Sequence, residues 1–158
     1  MKMFSRILSL MIVSSLGLFY AGCGGKSGDT DPVEKVQLSK LSSTWTISSV
    51  TLDGAPRTDF TGFTLTIAGA FSSATPKGPY TYTCAGTRPN PSPWPASGTW
   101  KFGANPKTDL LRLDNPDQEM TYTLTDTQLT IDFNYTGDGF AGSRVNQVSG
   151  NWEFIFTK

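Results

Sequence analysis

Few side chains in this sequence could do chemistry, and they do not form the pairs that catalysis needs. Its 158 residues contain no His, which removes imidazole-based acid–base, triad and metal chemistry. Two carboxylates acting as in glycoside hydrolysis must face one cleft, whereas the acids here fall in turns or on outward positions of strands. Cys84 has no neighbouring base, and it shares an alternating face with Tyr80 and Tyr82, the setting of a buried, inert thiol. Asp132, Asn134, Thr136, Gly137 and Asp138 match the opening of a calcium loop, but Ser143 holds the place of its closing bidentate Glu. The expectation is therefore no catalytic residue, no metal site and no cofactor. What remains is recognition chemistry. Arg57, Arg88 and Arg144 can clamp an acidic group, and Trp94 and Phe140 can offer rings to a sugar or a partner chain.

The elements that must position these residues are strands. In Glu119–Tyr135, Met120, Tyr122 and Leu124 alternate with Thr, and Leu129, Ile131, Phe133 and Tyr135 alternate with polar residues beyond a turn at Asp126. A period of two on both sides of a polar turn predicts an antiparallel hairpin with one buried face. The same pattern predicts strands near Thr44–Leu52, Phe60–Ala68, Pro79–Ala85, Gly98–Gly103, Asp109–Asp114 (Leu111 and Leu113 inward) and Asn151–Thr157, eight in all. Asp53-Gly54, Asn105-Pro106, Asn115-Pro116 and Gly137-Asp138-Gly139 mark turns between them. No helical period is visible after the first two dozen residues.

Three of these strands open on a Trp: Ser43-Thr44-Trp45, Ser97-Gly98-Thr99-Trp100 and Ser149-Gly150-Asn151-Trp152. The first resembles the G-x-W of the opening strand of lipocalin-like lipoproteins, with Ser43 in place of Gly, and Thr121–Ile131 is similar to that family's F–G hairpin. The resemblance implies an all-β fold, a single eight-stranded antiparallel up-and-down barrel, and a habit of binding or scaffolding. Closure joins the last strand to the first and removes both sheet edges. The alternative is an immunoglobulin-type sandwich, whose usual Cys–Trp–Cys core is missing here.

An up-and-down barrel gathers alternate connections at one end. Residues 86–97, with Pro89, Pro91, Pro93 and Pro95 around Trp94, and residues 137–149, with Phe140 and Arg144, would share that end with Arg57 and Arg88. Trp94 is then either a stiffly held platform, since proline lowers the entropy lost on binding, or a lid folded onto the barrel. Twelve inward rings, among them Trp45, Phe63, Tyr82, Phe133 and Phe154, leave little room for a deep ligand cavity in a barrel of this size.

At the other end of the sequence order, Lys2 and Arg6 precede an apolar run from Ile7 to Tyr20, which closes on Ala21-Gly22-Cys23. Phe19–Cys23 resembles the lipobox of bacterial lipoproteins, with Tyr20 where Leu is usual. That resemblance implies a signal peptide at 1–22, lipid on Cys23, and a membrane anchor in the cell outer membrane. Residues 23–40 are rich in Gly, Ser, Lys, Asp and Thr and are expected to form a flexible tether reaching roughly 20–25 Å, leaving 41–158 as the barrel domain. Loss of Lys2 and Arg6 would leave eleven of the thirteen basic residues against thirteen acidic ones, a net charge of about −2. Nucleic acid is not an expected partner. The function expected is non-catalytic capture of a small molecule or glycan at the barrel rim; the alternative is a structural or protein-interaction role in an envelope assembly.

Overall fold

The computed structural model describes residues 30–140 and 148–158. The chain divides into two units at Thr30, of which the second, Asp31–Lys158, is compact. The expected leader, Cys23 and Arg144 all lie outside the described residues.

The second unit is all-β, a closed eight-stranded antiparallel barrel with one short helix. Helix α1 (Val33–Leu41) precedes strands β1 (Ser43–Leu52), β2 (Ala55–Pro56), β3 (Thr64–Ala68), β4 (Tyr80–Ala85) and β5 (Ser97–Phe102). Strands β6 (Asp109–Arg112), β7 (Gln118–Leu124), β8 (Gln128–Tyr135) and β9 (Gly150–Thr157) complete the order. The two-residue β2 folds back on the end of β1, through a turn in which Asp53 (φ 51°) and Gly54 (φ 79°) are both left-handed. Positive φ at both central residues is what a type I′ hairpin turn requires. The other eight strands pair with their sequence neighbours, and β9 also pairs with β1, so no long edge remains open.

The core follows the alternation. The twelve rings expected inside, Trp45 and Trp152 at the two ends of the chain's strand order included, are all buried. In β1 the phase slips at a bulge between Ile47 and Ser49, which moves the buried face from Trp45 to Val50. Strand β6 departs from expectation: Leu110 and Arg112 point inward, not Leu111 and Leu113. Its register decides this, because Trp100 of β5 faces the core and pairs with Arg112.

A second correction concerns the tether. Residues 33–40 of it, nearly half its length, are helical and packed: Leu38 is buried, as is Leu41, the last residue of α1. Glu34 in the first turn and Lys40 in the last complement the helix dipole. The helix closes the barrel end where β1 begins. The indole of Trp45 donates to the Leu41 carbonyl at 2.8 Å, the Tyr122 hydroxyl reaches Gln37, and Lys158 at the other terminus lies 4.5 Å from the Trp45 ring centre.

Candidate functional site

The opposite mouth collects residues 53–63, 86–96, 113–117 and the ends of the β8–β9 connection, as up-and-down topology requires. These loops are knitted together. Asp53 accepts bonds from the backbone and side chain of Asn151 at 2.9 and 3.1 Å, while Ser92 and Phe140 exchange a pair of backbone bonds at 3.1 and 2.7 Å.

The proline-rich loop does not stand up from this rim. Pro91, Ser92, Pro93 and Trp94 are all buried, so the segment dips into the mouth and closes it. Trp94 is 2% exposed and meets Tyr82, Phe133 and Phe154 edge-on, at centroid distances of 5.6, 5.7 and 5.9 Å. It is the lid of the two forms open to it, not a platform. Ser92 turns its hydroxyl inward to accept the Trp94 backbone N–H at 3.1 Å.

Arg112 organises the underside of this plug. Its guanidinium is fully buried, with Nε donating to Asp114 Oδ2 at 2.7 Å and Nη2 donating to the Pro93 carbonyl at 3.0 Å. The same group lies 4.7 Å from the Trp94 ring centre, 5.5 Å from Phe133 and 5.7 Å from Phe140. A buried cation is tolerated only when paired and hydrogen-bonded, and here Asp114 and Pro93 meet that need. Sequence reasoning missed Arg112, because Leu110, Leu111 and Leu113 allow either face of β6 to be the apolar one. Asp114, two residues on, is the one local hint.

The other expected recognition residues among those described, Arg57, Arg88 and Phe140, are also engaged. Arg57 forks onto Asp59 through Nε and Nη2 and lies 5.1 Å from the Trp152 ring centre, and Arg88 donates to the Trp94 carbonyl at 3.0 Å. Phe140 is half-buried against Tyr135. The rim therefore brings Arg57, Arg88, Trp94 and Phe140 to one end, where Arg88 and Phe140 hold the plug that Trp94 fills and Arg57 is tied to Asp59 and Trp152.

Electrostatics inside the barrel favour neutral groups. Burial pushes the Cys84 thiol up to about 12 and holds the Tyr82 and Tyr122 phenols well above their ordinary range. Cys84 is thus a poor nucleophile. Of the calcium-like run, Asp132 and Asn134 sit on the outward face of β8, where Asn134 bonds Asn151 across to β9 at 2.8 Å. Among the described residues, no group of three or more Cys, Asp or Glu is placed to hold a metal ion.

Comparison with protein-family models, with curated proteins and with solved structures finds no match to this chain. The functional reading rests on the geometry.

Proposed function

We propose that the chain is a lipid-anchored, non-catalytic component of the bacterial cell envelope, whose barrel acts as a rigid interaction or spacer module. The observation that carries this reading is the sealed interior. Trp94 and Arg112 fill one mouth, α1 fills the other, and the rings between them pack against one another. A molecule captured inside would have to displace that core. Recognition then falls to exposed loop backbone and polar strand faces, which suits a protein partner better than a small apolar ligand. The absence of His and the high thiol value of Cys84 support a non-catalytic role.

The lipobox-like run ending at Cys23 supports the anchor, and durable anchoring needs more than one acyl chain. Because α1 follows that Cys in the chain, the α1 end is the one nearer the attachment point in sequence, and the Trp94 end carries the loops available to a partner. The buried opening Trp45, bonded to Leu41 and covered by Lys158, supports placing the barrel among lipocalin-like lipoproteins.

The experiment is to purify the native chain from its membrane after mild cross-linking and to identify what comes with it by mass spectrometry. A reproducible envelope protein, lost when exposed loop residues such as Thr58 and Thr87 are changed, is the expected result. A stoichiometric small molecule with no protein partner would refute the proposal. Incorporation of a palmitate analogue into the wild type but not into Cys23→Ser tests the anchor separately.

A further inference from the structure

The charges of the barrel are sorted by end. Lysines gather where α1 lies: Lys35 and Lys40 on the helix, Lys77 and Lys107 in the connections at 69–79 and 103–108, and Lys158 after β9. Lys101, near the end of β5, completes the lysines among the described residues. The described arginines, Arg57, Arg88 and Arg112, belong to the opposite mouth, where Asp53, Asp59, Asp114, Asp117, Glu119 and Asp138 outnumber them. We propose, resting on the lipid-anchored reading above, that the α1 end is a seat for an anionic phospholipid surface and holds the barrel upright on its anchor.

Most acids at the α1 end are engaged or turned away. Asp31 pairs with Lys35 at 2.8 Å, and the Asp109 carboxylate accepts the Asn105 backbone N–H at 2.9 Å and the Thr108 hydroxyl at 2.7 Å. Glu34 falls on the side of the helix that carries the buried Leu38 and Leu41. Asp126 and the terminal carboxylate remain, against Lys40, Lys101 and Lys107, whose ammonium groups bond nothing among the described residues. Val33, Val36 and Lys40 share the outer stripe of α1. Val36, 37% exposed, is the one large apolar side chain left exposed among the described residues. Apolar atoms flanked by ammonium groups on flexible stems suit a headgroup layer, which receives both.

Reach and screening select the same orientation. Ten residues, 23–32, lead from Cys23 to α1, and a Gly-rich coil of that length averages about 16–19 Å end to end. Strand β1 has 10 residues, so the two ends of the barrel lie roughly 25 Å apart once strand tilt is allowed for. The field of an anionic leaflet fades over a Debye length of about 8 Å. With the α1 end down, the lysines lie inside that field and the rim acids beyond it. Inversion would press those acids against like charge and draw the tether across the height of the barrel.

The test is amine footprinting of the full lipidated chain, reconstituted into vesicles of phosphatidylcholine alone or with a third phosphatidylglycerol, with acetylation of each lysine read by mass spectrometry. In the anionic vesicles, labelling of Lys35, Lys40, Lys107 and Lys158 should fall about threefold or more relative to the neutral ones, and raised salt should restore it. Lys40→Glu combined with Lys107→Glu should abolish the difference at the remaining lysines while leaving the thermal melt in place. Equal labelling in the two lipids, or protection already complete in detergent, as a contact with a second copy would give, would overturn the seat. Failure to float with the vesicles is a different outcome: it removes the anchor itself, and the seat with it, whereas a chain that floats but labels alike in both lipids loses the seat alone.

Discussion

Replacing Trp94 by Ala separates a structural plug from a surface platform. A fully buried Trp removes roughly 150–250 Å² from water, which at about 25 cal/mol per Å² corresponds to ~4–6 kcal/mol as an upper bound. The retained Cβ and partial burial in the unfolded chain reduce this, and measured Trp-to-Ala changes in cores cost about 3–5 kcal/mol. Trp94 has little scope to be replaced by collapse of its neighbours, because Tyr82, Phe133 and Phe154 are each held on a different strand. For a domain of this length each kcal/mol moves the midpoint by about 3–5 °C, so Trp94→Ala should lower Tm by roughly 10–20 °C. Urea and thermal unfolding followed by circular dichroism would measure it. A loss under about 1 kcal/mol, the range of an exposed side chain, would refute the placement of Trp94 and of the whole proline-rich segment. A cycle with Arg112→Met adds a check: the pair should couple by about 0.5–2 kcal/mol, since the guanidinium stacks on the ring in a desolvated setting.

The two rim ion pairs should behave differently in urea melts. Asp114→Ala strands a fully buried guanidinium and should cost about 3–5 kcal/mol, whereas Asp59→Ala uncovers a partly solvated Arg57 and should cost about 1 kcal/mol or less. Alkaline pH should destabilise the fold. The Cys84 thiol and the Tyr82 and Tyr122 phenols are raised by burial, so the unfolded chain loses those protons first. Stability should hold up to about pH 9 and fall progressively toward about 12; chemical denaturation at several pH values gives the slope, and a rise in stability over that window would contradict the burial of these groups. Leu41→Ala should cost about 2–5 kcal/mol by the same melts, because α1 belongs to the core. A neutral result would return residues 33–41 to the status of a linker.

Much of the barrel could be read from residue order because strand alternation is local. Each strand declares its buried face within four or five residues, and turn residues such as Asp53-Gly54 mark its end. The burial of Phe63, Leu65 and Ile67, or of Trp152, Phe154 and Phe156, needed no knowledge of their partners. So did the expectation that the interior would be crowded with rings. The lack of imidazole chemistry was equally plain, since His is missing from the whole sequence.

Three features were settled by tertiary structure alone, each for a physical reason that no local window contains. Helix α1 presents two buried leucines among polar residues, so its apolar stripe becomes evident when the barrel end receives Leu38 and Leu41. Arg112 faces inward because pairing with β5 sets the register of β6, and the guanidinium is tolerated there because Asp114 and the Pro93 carbonyl come to meet it. Trp94 could have stood out or folded in. A ring of that size gains most where Tyr82, Phe133, Phe154 and Arg112 converge, and those four come from strands that the sequence keeps far apart.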